Sequence, residues 1–280
     1  MASLRRQLKE LEIRPRKSLG QHFVQDPNIL RKIVEEAALE PEDIVVEVGA
    51  GLGSLTAPLA ARTQKVYALE IDPRLAEALR KRFLGVEQVE VVQGDALNFD
   101  FAPIFKKWRR RMKVVANLPY EISSPMIFRL LKEREYFSLW VLMLQLEVAR
   151  RLVARPGTKD YGALSLWTRL YARAAIAFQV GPRAFHPPPK VDSAVVKFEI
   201  LPQPSIEVAD EKTLQEVIRS AFTYRRKTLG KALQSGSFSH LSRPRIQEAL
   251  EASRIPTMAR GETLTLEQFG ILARLLSSLG

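Results

Sequence analysis

Residues 44–53 read Ile-Val-Val-Glu-Val-Gly-Ala-Gly-Leu-Gly. A short β-branched run that stops in alternating glycines is a strand entering a turn, and such a turn lets backbone N–H groups approach a ligand closely. A helix is expected next, from Ser54 to about Arg62. Further strands are expected at 66–70, 89–92 and 113–116, with a helix at 73–83 between the first two. Upstream, apolar residues at 29, 30, 33, 34 and 37 recur at helical spacing and predict a helix over 27–39. This strand–helix alternation predicts an α/β domain with a parallel sheet and helices on both faces.

Strands are also expected at 139–144, 176–180 and 194–200, with a helix at 147–153 extended by another at 164–174. The Pro-rich segment 182–189 reads as an extended loop. At Leu201-Pro202-Gln203-Pro204 the composition changes, and helices are expected at 212–222, 226–233, 245–252 and 266–279. The reading is therefore a domain over 1–203, opened by a basic tail over 1–20, and a smaller all-helical domain over 204–280. In the tail, Leu4, Leu8 and Leu11 share a helical face that Pro15 ends.

The 280 residues carry a formal charge of +12 and a pI near 10.0, a balance that suits a polyanionic partner. With 46% hydrophobic residues the chain can bury a core. It has no Cys, and His22, His186 and His240 lie too far apart for a local ligand motif, so no metal is expected. The N-terminus lacks a signal-like apolar stretch, and no apolar run nears the roughly 18–20 residues that span a bilayer. A cytoplasmic protein is expected.

The glycines at 49, 51 and 53 are spaced G-x-G-x-G, with Ser54 where a dinucleotide binder's pattern would place another glycine. Glu70 ends the second strand, where a carboxylate can accept from both hydroxyls of a ribose; Glu47 could also face the ligand. Asp95 follows the third strand and could accept from an adenine amino group. Together these residues describe an adenosine without phosphates, the shape of S-adenosylmethionine.

After the fourth strand stands Asn117-Leu118-Pro119-Tyr120. An exocyclic amine on a purine is a poor nucleophile, because its lone pair is delocalised into the ring. Two acceptors, the Asn117 side-chain oxygen and the Leu118 carbonyl, can hold its hydrogens and aim the lone pair. Pro119 restricts Leu118 to extended backbone. Tyr120 offers a stacking face for a flipped base.

Seven stretches in order carry a resemblance: residues 18–23 (SLGQHF), 47–53 (EVGAGLG), 94–96 (GDA), 117–120 (NLPY), 143–145 (MLQ), 185–195 (FHPPPKVDSAV) and 222–229 (FTYRRKTL). The chain resembles the KsgA-type family of ribosomal RNA adenine dimethyltransferases. The resemblance implies a Rossmann-like, class I S-adenosylmethionine-dependent methyltransferase domain with one antiparallel strand near the sheet edge and a helical C-terminal domain. It implies cofactor contacts at His22, Val24, Gly49, Glu70, Asp95 and Asn117, with Gly51 in the same turn. It implies that Tyr120 and Phe185 sandwich the target adenine. The bottom-up alternative for Phe185 is an apolar anchor for the Pro-rich loop. Leu146 departs from the family, which often has Lys there.

The implied activity is N6-dimethylation of adjacent adenosines near the 3′ end of 16S rRNA in the small ribosomal subunit, with a part in subunit biogenesis, by a monomer. Two other readings are a large-subunit rRNA methyltransferase of the macrolide-resistance type and an RNA-binding assembly or transcription factor of the same fold. The basic run Lys106-Lys107-Trp108-Arg109-Arg110-Arg111-Met112-Lys113 and the cluster Arg225-Arg226-Lys227 are candidate RNA contacts, expected beside the modifying site. Solvated charged faces are the plainer reading of both.

Overall fold

The structure is a computed structural model, and it describes residues 4–16 and 19–279. Ser18 of the first motif therefore lies outside the described residues. In chain order the elements are α1 (Leu4–Glu10), β1 (Phe23–Val24), α2 (Pro27–Glu36), β2 (Ile44–Val48), α3 (Thr56–Ala60), β3 (Lys65–Glu70), α4 (Pro73–Arg82), β4 (Val89–Gln93), α5 (Ala102–Trp108), β5 (Met112–Asn117), α6 (Ser123–Lys132), β6 (Phe137–Gln145), α7 (Leu146–Val153), α8 (Ala163–Tyr171), β7 (Ala172–Val180), β8 (Phe185–His186), β9 (Ser193–Ile200), α9 (Glu211–Thr223), α10 (Leu229–Ser235), α11 (Arg243–Ala252) and α12 (Leu266–Ser277).

Seven strands form one sheet in the order β4-β3-β2-β5-β6-β9-β7. The neighbours from β4 to β6 are parallel, and β9 runs antiparallel to β6. Every residue of the central strand β2 is buried, which is why its sequence is β-branched and apolar on both faces, broken only by Glu47, rather than alternating with exposed polar residues. The edge strand β4 stays half exposed. Val45, Val115, Val141, Met143 and Val195 from four strands share a core with Ile33 and Val34 of α2, with Ala37 just after it, and with Leu55 and Leu59. Both α2 and α4 begin with Asp-Pro: the Asp26 and Asp72 carboxylates accept from the N–H two residues on, and the proline ring occupies the first helical position.

The chain divides into two compact units, one of residues 1–149 with 173–200, the other of residues 150–172 with 201–280. The composition shift predicts instead a single boundary at 203/204. The difference is α8: its buried Leu164, Leu166 and Leu170 belong with the C-terminal helices, where Phe222 stacks on Phe269 at 6.2 Å and the Tyr161 hydroxyl donates to Leu264 O at 2.8 Å. The helix expected to reach residue 174 ends at Tyr171, and Ala172–Val180 is a strand. Alanines favour helix locally, but here they alternate between half-buried and exposed beside β9, and sheet pairing overrides propensity. Two helices are not foreseen by the sequence pattern, α5, which runs into the start of the basic run, and α6 after Tyr120.

The N-terminal segment is also more than a tail. Leu8 and Ile13 are buried with Leu52 and Leu75, so this segment packs beside the glycine turn. Among the described residues no helix is long and apolar enough to cross a membrane.

Candidate active site

The carboxyl ends of β2, β3, β4 and β5 open on one cleft. Leu19, Gly20, Phe23, Gly49, Gly51, Glu70, Ile71, Asp95, Asn117 and Tyr120 are among its walls, which enclose about 880 Å³ of space including the open mouth. This is where ligands bind in open parallel sheets.

The glycine turn makes the floor. Gly49 holds φ +73° and Gly51 φ +58°, and a Cβ on Gly51 would stand 2.8 Å from the Phe23 ring. Glycine is required there by conformation and by space. Glu70, 4% exposed, spans the turn: one carboxylate oxygen accepts from Gly51 N–H at 2.8 Å, the other from Asp72 N–H at 2.9 Å. Burial, offset in part by those N–H donors, raises its pKa above the ordinary value. Each oxygen keeps a lone pair for a ribose hydroxyl.

Asp95, one strand over, closes its own turn by accepting from Leu97 N–H at 2.9 Å and from the Asn98 side-chain amide at 2.7 Å. Between the two acids, Ile71 is 47% exposed and lines the cleft. Two carboxylates and an exposed aliphatic surface, with no cation on the floor between them, fit the hydroxyls, amino group and apolar face of an adenosine and fit a pyrophosphate poorly.

Glu47 does not line the cleft. It is 2% exposed and accepts from the Thr56 hydroxyl at 2.5 Å, and burial pushes its pKa up to about 8. The expectation that it could face the ligand is corrected: it ties the glycine turn to the start of α3.

Asn117 ends β5. Its side-chain N–H donates to His22 O at 2.8 Å, which fixes the amide with its oxygen on the other side. The His22 ring donates from Nδ1 to Pro187 O at 2.7 Å, which fixes the ring's orientation. Leu118 N–H donates to Met143 O at 3.1 Å, so the Met143-Leu144-Gln145 motif acts as the backbone partner of the turn. The Tyr120 hydroxyl shares a hydrogen bond of 2.7 Å with the buried Ser193, which pins the ring beside that of His22, 5.4 Å away.

A short ladder explains how motifs far apart in sequence meet here. β1 pairs with β8, setting Phe23 opposite His186 and Val24 opposite Phe185. That ladder takes two expected site residues off the cleft wall. Val24 is 5% and Phe185 1% exposed, both inside the core around β2 and β5. Neither side chain lines the cleft in this structure, and the Phe185 ring packs in the core beside the Pro-rich segment. Sequence reasoning does not find Leu19, Gly20, Ile71 and Glu121 on the walls. Ile71 was legible, as an aliphatic residue directly after the ribose acid.

The basic run is elsewhere. Lys106, Lys107, Arg109 and Arg110 are exposed around the end of α5, before β5 begins, whereas Asn117 is at its far end. The strand separates them by roughly 20 Å at about 3.3 Å per residue. The run is therefore not beside the cleft. Part of it is engaged in structure: Arg110 donates to Glu42 O at 3.1 Å, Lys113 pairs with Asp43 at 2.7 Å, and the Trp108 indole donates to Tyr67 Oη at 2.8 Å. Arg225, Arg226 and Lys227 stand exposed in the turn between α9 and α10 rather than at a helix start. Arg225 is braced by Glu262 at 2.7 Å, and Lys227 lies over the Tyr224 ring at 4.8 Å.

This sheet order, with a glycine turn after β2 and acidic residues at the ends of β3 and β4, is that of a class I S-adenosylmethionine-dependent methyltransferase. Comparison narrows the class. The family model for ribosomal RNA adenine dimethylase matches residues 13–270, and the chain belongs to that family. It is 44% identical, over 97% of its length and 95% of the relative's, to a ribosomal RNA small subunit methyltransferase A of Pelotomaculum thermopropionicum. It is also 44% identical to the protein of that name from Geobacter metallireducens, over 96% of this chain and 98% of the relative. Among solved structures it resembles a dimethyladenosine transferase from Plasmodium falciparum, with a TM-score of 0.76, 28% identity and coverage of 92% and 98% of the two chains. It resembles the 23S rRNA methyltransferase ErmE less closely, with a TM-score of 0.68, 29% identity and coverage of 91% and 99%.

Proposed function

We propose that this chain dimethylates N6 of adjacent adenosines near the 3′ end of small-subunit rRNA, using S-adenosylmethionine. The observation that carries the reading is the Asn117 amide. Its nitrogen donates to His22 O and the residue lines the cleft in which Glu70 and Asp95 stand, which leaves the amide oxygen to accept from an incoming amine.

The residues divide the work. Glu70 holds the ribose, Asp95 the adenine amino group, and the Gly49–Gly51 backbone the chain between ribose and sulfur. When bound, the cofactor supplies a methyl group made electrophilic by its sulfonium. Asn117 Oδ1 and Leu118 O accept the two amine hydrogens and hold the nitrogen towards a tetrahedral form. So held, the nitrogen would present its lone pair to that methyl group, and the proton lost on transfer would pass to solvent. That proton is acidic enough that no strong general base is needed. Tyr120, pinned by Ser193, supplies the stacking face for the extruded base. Phosphate contacts are assigned to Arg225, Arg226 and Lys227.

Small-subunit specificity rests on the relatives, whose name specifies that subunit. The large-subunit reading rests on the weaker likeness to ErmE. Methyl transfer to purified small and large ribosomal subunits decides between them. Label is expected in the small subunit, at adjacent adenosines near the rRNA 3′ end. Label confined to the large subunit would overturn the assignment.

A further inference from the structure

Nothing in the sequence singles out Arg129, a cation on a helix that the sequence pattern does not foresee. In the structure its side chain is only 15% exposed. Nη1 donates to Ala96 O at 2.5 Å, Nη2 donates to Phe99 O, and Nη2 also pairs with Glu133 at 3.3 Å. The guanidinium lies 5.0 Å from the centre of the Phe101 ring. Ala96 and Phe99 belong to the loop that carries Asp95, so one cation gathers two carbonyls of that loop. Asp95's remaining bonds are local ones, to Leu97 and Asn98. The loop's hydrogen bonds to the rest of the domain include a Gly94 N–H bond to Glu70 O, at 3.0 Å, and those from Arg129, beside the packing of Phe99 on Phe101 and of Phe101 on Phe137.

The helix that carries Arg129 begins at the catalytic turn. α6 starts at Ser123, whose hydroxyl donates to Pro119 O at 3.2 Å. Arg129 sits six residues along, roughly 9 Å at the helical rise. One rigid element therefore has the Asn117–Tyr120 turn at its N-terminus and the loop of Asp95 on its flank.

We propose that Arg129 is a positioning residue that sets the adenine end of the cofactor site through Asp95. The inference rests on the assignment of Asp95 to the cofactor's base. Arg129 touches neither ligand and acts by holding a loop that would otherwise leave two converging carbonyls without a shared donor.

The test uses the full-length protein with Arg129→Met, which keeps a stem against Phe101, and Arg129→Lys, which keeps a charge and can reach one carbonyl. S-adenosylmethionine binding is measured by calorimetry, and KM and kcat with small ribosomal subunits. Arg129→Met should raise the cofactor Kd and KM about tenfold, the worth of one charge-assisted bond, with kcat at saturating cofactor changed less than about threefold. Lys should restore part of the loss. In an Asp95→Ala background the same substitution should cost less than about twofold, because the path through Asp95 is already gone. A cofactor Kd unchanged in both variants, or an equal loss with and without Asp95, would overturn the inference. Should the Met variant fail to fold, the Lys variant with and without Asp95→Ala carries the same comparison. Wild-type protein that binds no S-adenosylmethionine would overturn the cofactor reading itself, a result visible before any variant is made.

Discussion

Strand β5 has six residues, and its two ends are used differently. Before it stand Lys106, Lys107, Arg109, Arg110 and Arg111; at its close stands Asn117, in a turn with no cation. The first end carries most of a motif's charge and none of the cleft. The second carries the chemistry, with hydrogen bonds that orient Asn117, His22 and Tyr120. A site is made by the direction in which polar atoms are held, and charge density alone does not locate it.

The largest difference expected between the two ends is in cofactor binding. Glu70→Ala should weaken S-adenosylmethionine binding by about 1–3 kcal/mol, whereas Lys106→Gln with Lys107→Gln should leave it unchanged, both read by calorimetry. The pH dependence sharpens the point. Burial raises the Glu70 pKa, so acidification removes the ionised acceptor earlier than for an ordinary carboxylate. Affinity should fall as pH drops through that raised value, and Glu70→Gln should flatten the profile. A wild-type profile flat over the acid range would break this account of Glu70.

A smaller contrast concerns RNA. Glutamine at Arg225, Arg226 and Lys227 should reduce the salt dependence of binding to small subunits by roughly 0.7–0.9 log unit for each phosphate that is no longer neutralised. The same change at Lys106, Lys107, Arg109 and Arg110 should have less effect and should leave single-turnover methyl transfer intact. A larger slope change from the α5 cluster would reverse the ranking and make the far end of the sheet an RNA surface.

The smallest effect is on stability. The Glu47 carboxyl titrates near 4.5 when unfolded and at about 8 when folded. Between those values the folded state keeps a proton that the unfolded state has lost, so stability declines as pH rises through that window. Glu47→Gln keeps an acceptor for Thr56 and removes the decline. Its Tm should exceed the wild type's by a margin that grows from pH 5 to 8, to roughly 3 °C or more. Equal Tm values at pH 8 would mean that Glu47 is not held neutral.

Legibility in the sequence follows the range of the interactions. The strand at 44–48, its glycine turn and the acids at 70 and 95 can be read because strand, turn and side chain are contiguous, and parallel topology then brings the strand ends together. The start of 172–180 reads as helix because alanines favour helix, and only pairing beside β9 makes it a strand. Val24 and Phe185 are assigned to the site by resemblance, and no local pattern shows that their pairing buries both. Ala163–Tyr171 joins the helical unit through packing against residues far along the chain, which a composition shift at 201–204 does not reveal. Arg129 is invisible for the same reason, its acceptors lying 30 and 33 residues away.

The central claim is that Asn117 Oδ1, freed for the cleft by the bond from Nδ2 to His22, orients the target amine. Its most direct test is single-turnover methyl transfer to small ribosomal subunits at saturating S-adenosylmethionine by Asn117→Ala, with RNA binding measured alongside. An acceptor used most fully as the nitrogen becomes tetrahedral acts on turnover. The account predicts a rate reduced by about a hundredfold or more, with RNA affinity within about threefold of wild type. A rate near that of wild type, with RNA binding intact, would contradict it.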